Sequence, residues 1–117
     1  MSRDDRYQDE KFVNWAQDVK ERDDFTCQIC DRRGGPLHAH HLNSWDRFVS
    51  ERYDLVNGIT LCSKCHKNFH TLYSFGNNTK EQFAEYRKFL RLLEKVAAQN
   101  KAAKLKAISS SKFLIFE

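Results

Sequence analysis

Between Glu10 and Arg22 the apolar residues Phe12, Trp15, Ala16 and Val19 recur at helical spacing, which predicts a helix with one face on a core. Phe25 follows as an expected core anchor. The DRRGGP stretch, 31–36, reads as a turn, with Gly34 and Gly35 admitting positive φ and Pro36 stopping regular pairing. LHAHHL, 37–42, is a strand candidate, and GITLC, 58–62, behind the turn signal Asn57-Gly58, is a second. The loop between them carries Trp45, Phe48 and Tyr53 and is expected to fold down onto the protein. A helix over about 63–73 presents Phe69, Leu72 and Tyr73 on its apolar side and stops at Gly76-Asn77-Asn78. Thr79 and Gln82 then have the form of a capping box. The helix it opens is expected to bury Phe83, Tyr86, Phe89, Leu90, Leu93 and Val96 and to run on through the Ala/Lys-rich stretch to Ala107. Ser109–Ser111 is expected to break it, leaving KFLIFE as a short extended apolar segment.

A chain of 117 residues is read as one small domain. Domains of this size often need a metal or disulfides to complete a modest core. The charge is uneven: residues 1–24 sum to −3, residues 25–79 to +2 and residues 80–117 to +5, for a total of +4. A total of this size does not by itself point to nucleic acid, but the basic last third is compatible with it. No run approaches the ~20 apolar residues of a membrane span. MSRDDRYQDE contains no apolar stretch, so a cytoplasmic, intracellular protein with reduced cysteines is expected.

Chemistry concentrates between positions 27 and 70, which hold every cysteine and histidine of the chain. Cys27/Cys30 and Cys62/Cys65 form two CxxC pairs. Zinc takes four thiolates tetrahedrally, and each CxxC turn supplies two of them from one corner, so a closed structural Zn²⁺ is preferred to two disulfides. Four thiolates and one Zn²⁺ would bring the chain near +2. The histidines are then surplus to that site. His66 and His70 are four apart on the expected helix and can grip one ion from one face. A histidine-held ion keeps open positions for water and substrate. In the adjacent pair His40-His41 one imidazole can bind metal while the other takes a proton from water. Side chains alternate along a strand, so the two point inward together only if the backbone leaves strand geometry at His41; that departure is expected. His38 shares the face of His40 and is read as an ordinary strand histidine.

The order CQIC, HAHHL, NGITLCSKCHKNFH resembles the HNH endonucleases, and the flanking KFVNWAQDVKERDDFTCQIC and NNTKEQFAEY resemble small phage and homing members. The resemblance spans roughly residues 10–90. It implies an α+β, ββα-metal fold with a four-cysteine structural zinc site, flanked by an N-terminal helix and a long C-terminal helix. Residues 1–9 would then be a tail, 10–96 the nuclease domain with its metal core at about 37–75, and 97–117 a basic tail. His41 matches the general base, His40 the first metal ligand (Asp in many members), Asn57 the residue bracing the loop and base, and His66 the last metal ligand. His70 matches a further histidine found in a subset. The family implies one catalytic ion that stabilises the departing 3′ oxygen and leaves a 5′-phosphate. Three nitrogen ligands favour Mn²⁺, Ni²⁺ or Zn²⁺ over Mg²⁺.

The implied partner is double-stranded DNA, and the cations near the motifs, Arg32, Arg33, Arg52, Lys64 and Lys67, are the candidate contacts. The Arg32-Arg33 pair also reads as solvated surface. Two competing functions stand beside the nuclease: a zinc-stabilised DNA-binding module, and an accessory of phage packaging proteins in a bacterial host. Neither the site cut nor the oligomeric state is written in these residues.

Overall fold

A computed structural model describes residues 3–115, and side chains over residues 5–109. The protein is a small α+β structure. A single helical turn, α1 (Arg3–Arg6), precedes α2 (Glu10–Arg22); two antiparallel strands, β1 (Leu37–His41) and β2 (Gly58–Cys62), lead into α3 (Ser63–Tyr73); and α4 (Lys80–Ile115) follows. The strands pair from Leu37 opposite Cys62 to His41 opposite Gly58.

The hairpin is covered on both faces, which fixes the site. Along β1, Ala39 and His41 face α2, whose Phe12, Trp15 and Val19 form the core cluster with Trp45 of the following loop, and Ala39 packs against it. His40, on the opposite face, lies 4.9 Å between ring centroids from Phe69 of α3. Strand geometry therefore persists through His41, and the expected departure there does not occur. Both histidines are buried because each face has its own helix.

Gly58 begins β2 with an extended φ of −119°. A Cβ there would sit 2.4 Å from Val19 Cγ2 and 2.7 Å from Trp15 Cζ2, so the absence of a side chain lets α2 close on the strand. The glycine of the Asn57-Gly58 pair serves this packing. Asn57 ends a short 3-10 turn, Leu55–Asn57.

The loop between the strands does fold down, though unevenly. Trp45 is buried, whereas Tyr53 is largely exposed and held by donating to Asp9 Oδ2 at 2.6 Å. Trp15 Nε1 donates to the Asp54 carbonyl at 2.8 Å, and the Arg22 guanidinium donates to the carbonyls of Leu55 and Gly58, both at 2.7 Å. Phe25 and Leu72 are exposed, so neither joins the core as expected.

The capping box at the start of α4 is reciprocal: the Gln82 N–H donates to Thr79 Oγ1 and the Thr79 N–H to Gln82 Oε1, both at 3.2 Å. Phe83 and Tyr86 are buried, but Phe89, Leu93 and Val96 are about half exposed and Leu90 is only half-buried. The expected burial therefore ends at Tyr86. The helix also runs through Ser109–Ser111 to Ile115, correcting both the break and the extended KFLI segment. Serine in a helix interior costs only a few tenths of a kcal/mol relative to alanine, well short of proline. Phe116 and Glu117 lie outside the described residues.

Candidate active site

Four cysteine sulfurs meet where the turn after α2 reaches the junction of β2 and α3. Those of Cys27, Cys30, Cys62 and Cys65 all lie within 4.8 Å of one another, and Cys30 and Cys62 are 3.7 Å apart. Tetrahedral zinc with bonds of about 2.3 Å separates its sulfurs by about 3.8 Å, so the cluster fits that ion. The turn is tight: the Cys27 N–H donates to the Arg32 carbonyl at 2.8 Å, the Asp31 N–H to the Cys27 carbonyl at 2.9 Å, and Asp31 takes a φ of 64°. Cys62 caps α3, its sulfur accepting from the Cys65 N–H at 3.4 Å. Burial tends to raise the Cys62 thiol, but that N–H and the neighbouring thiols outweigh it and bring it down to about 7. Burial and the same neighbours push Cys65 up, so a cation is needed for all four to be thiolates together.

A second cluster lies between β1 and α3. Ring nitrogens of His40, His66 and His70 fall within 4.8 Å of one another. His66 Nε2 and His70 Nε2 are 3.0 Å apart. Adjacent octahedral ligands at about 2.1 Å from one ion would be about 3.0 Å apart, and tetrahedral ones about 3.4 Å. A hydrogen bond between the rings would give the same distance, so His40 is the discriminating residue. Its Nε2 is buried without a hydrogen-bond partner, the situation a metal ligand resolves. Burial and the neighbouring His66, His70 and His41 keep the His40 pKa well below the ordinary range, hence neutral and able to coordinate. His70 is oriented from behind, with Nδ1 2.9 Å from the Ser74 carbonyl and Phe75 stacked on its ring at 4.1 Å. Donation from Nδ1 leaves the Nε2 lone pair for an ion.

His41 lies across the strand from that cluster. Its ring stacks on Trp15 with centroids 3.9 Å apart and an interplanar angle of 13°. Nε2 lies 2.9 Å from the Arg52 carbonyl, so it carries the proton and Nδ1 the lone pair. Burial lowers the His41 pKa to about 4, against the opposing pull of that carbonyl and helped by Arg6 and Arg52, so the ring is neutral at pH 7.

Asn57 secures the loop that carries Arg52. Its Oδ1 accepts from the Asn43 N–H at 2.8 Å, and its Nδ2 donates to the carbonyls of Asn43 and Glu51 at 3.0 and 3.1 Å. Asn57→Ala is expected to reduce stability by about 1–3 kcal/mol, because three backbone groups lose their partner. Urea unfolding of zinc-loaded protein measures this; a loss below about 0.5 kcal/mol would show that the loop is held elsewhere.

A groove of about 430 Å³ includes both faces of β1 in its lining, with His38, His40, His41, His66 and His70 among its walls. None of Arg32, Arg33, Arg52, Lys64 and Lys67 lines it. Arg33 pairs with Asp24 at 3.1 Å on the surface, and Arg32, Lys64 and Lys67 are exposed. Arg52 donates from Nε to the Trp45 carbonyl at 2.8 Å and stacks over that ring, so its side chain is engaged internally. His38 meets Ser63 Oγ at 3.0 Å. Sequence reasoning placed Trp15 on a core face but missed that it stacks on His41, and it missed Asn43, whose Oδ1 accepts from the Lys80 N–H at 2.8 Å and ties the loop to the start of α4. Neither residue belongs to the Cys/His pattern that marked the site.

Residues 27–72 match the family model described as HNH endonuclease. That segment is similar to the HNH endonucleases. Among curated proteins and among solved structures, nothing matches the chain. The match contains both groups of candidate metal ligands, His41 and Asn57, but excludes α2 and α4. The similarity points to a nuclease-type or DNA-binding function, and no described helix is long and apolar enough to cross a membrane.

Proposed function

We propose that the protein is a metal-dependent endonuclease that hydrolyses or nicks phosphodiester bonds of DNA, with His41 as general base and one divalent ion held by His40, His66 and His70. The observation that carries this reading is the division of adjacent histidines across one strand. His40 faces two more imidazoles with an unpartnered nitrogen, while His41 is neutral and held by a carbonyl. A neutral imidazole with Nδ1 free to accept a proton, lining a groove beside the rings of His40, His66 and His70, is the state a general base needs.

His41 Nδ1 accepts the proton of a water whose oxygen attacks phosphorus. The bond from phosphorus to the 3′ oxygen breaks, the phosphate stays on the 5′ side, and the departing oxygen takes a proton from solvent. The bound ion would stabilise negative charge on that departing oxygen. Arg52 supplies the backbone carbonyl that fixes the imidazole, and Asn57 holds the loop carrying it. Three nitrogen ligands favour Mn²⁺, Ni²⁺, Co²⁺ or Zn²⁺ over Mg²⁺. The four-cysteine site is assigned to structural Zn²⁺.

Incubating purified protein with supercoiled plasmid and each of these ions tests the reading. The expected result is nicked or linear product with manganese or nickel exceeding that with magnesium. Retention of plasmid in a gel without conversion by any ion would replace it with the zinc-stabilised DNA-binding module. Conversion only after phage packaging proteins are added would indicate an accessory role.

A further inference from the structure

We propose that Arg6 and Lys20, both outside the HNH match, form a two-cation clamp for DNA phosphates on either side of the one presented to His41. This rests on the nuclease reading and adds which residues hold its substrate. Arg6 and Lys20 are the only lysine or arginine side chains among the described residues lining the groove, and Asp46 is the only carboxylate among them.

Their placement follows from the helix and the strand it covers. Phe12, Ala16 and Lys20 recur every four residues on α2 and all line the groove, so they form one stripe of that helix. Near the start of the stripe, the Phe12 and Trp15 rings contact His41. Farther along, the Val19 carbonyl accepts from Thr60 Oγ1 at 3.3 Å, and Thr60 pairs with Ala39. Lys20 therefore lies about 7 Å along the helix from Trp15, towards the Leu37 end of β1.

Arg6 is at the opposite end. Its guanidinium carbon lies 5.2 Å from the ring centroid of Trp45, and that ring is 5.6 Å from His41. The two cations thus flank the base. Lys20 has no carboxylate partner among the described residues, whereas Arg22 and Arg33 are paired with Asp23 and Asp24. Cations set apart along a groove suit a polyanion whose charges repeat along its backbone, and such contacts grip DNA without reading its sequence.

The test measures binding without cleavage. In zinc-loaded His41→Ala protein, the affinity for a short fluorescent duplex is followed by anisotropy over a range of salt. Lys20→Gln and Arg6→Gln should each weaken binding and flatten the dependence of log K on log salt by about 0.9, and the double variant by the sum. Lys64→Gln, on the exposed face of α3, should leave the slope unchanged. Arg6 also lies over Trp45, so if Arg6→Gln lowers the melting temperature, Lys20→Gln alone decides. Binding by the parent with an unchanged slope in Lys20→Gln, or a slope lost instead in Lys64→Gln, would overturn the clamp and leave the nuclease reading standing. Failure of the parent to bind duplex DNA would overturn both.

Discussion

His41→Ala is expected to lower the single-turnover rate of plasmid nicking by about 10²–10⁴-fold, the range typical for loss of a general base. DNA affinity and metal content should change little, because the His40, His66 and His70 cluster does not include it. The substitution also removes a ring packed between Trp15 and the Arg52 carbonyl, and a cavity of that kind destabilises by a few kcal/mol. His41→Gln separates the two effects. It fills much of the volume and its amide can still donate to Arg52, yet it has no basic nitrogen. Loss of activity in both variants, with zinc content and the circular-dichroism spectrum retained in His41→Gln, is the outcome expected of a general base at this position. A rate within tenfold of the parent in either would remove His41 from the role of base. His40→Ala offers the contrast: its activity should fall together with occupancy of the histidine cluster.

The elements around the site were legible because each carried a local signal. The helical spacing of Phe12, Trp15 and Val19 marked α2, the cysteine and histidine spacings marked both clusters, and Thr79 with Gln82 marked the start of α4. Features that depend on distant partners were not legible. Alternation along LHAHH implies that one of two adjacent histidines points outward, but nothing local says that helices cover both faces of the hairpin. Periodicity in α4 likewise marks an apolar face without supplying a partner for it, and Phe89, Leu93 and Val96 remain about half exposed. The cations of the groove show the same limit: Arg6 and Lys20 line it from the segment before the motif, and no local signal marks them as its neighbours.

Cys27→Ser is expected to unfold the domain, while mild chelation should only silence it. Cys27 is fully buried, and its site ties the turn after α2 to the junction of β2 and α3. Structural zinc binding supplies on the order of 10 kcal/mol of folding free energy, comparable with the whole ~5–15 kcal/mol stability of a domain. A hydroxyl cannot replace a thiolate at such a site, and even partial loss of that binding exceeds the usual margin. The histidine cluster sits differently. It lines an open groove, and its rings are already held by Phe69, Phe75 and the Ser74 carbonyl, so emptying it leaves the scaffold in place. Brief EDTA treatment should therefore abolish cleavage with an unchanged circular-dichroism spectrum and about one zinc per chain retained. Manganese should restore activity to that protein. Elemental analysis finding no zinc in protein that remains folded and active would refute the structural role of the cysteines. A folded, zinc-loaded Cys27→Ser variant would show that the other three ligands suffice.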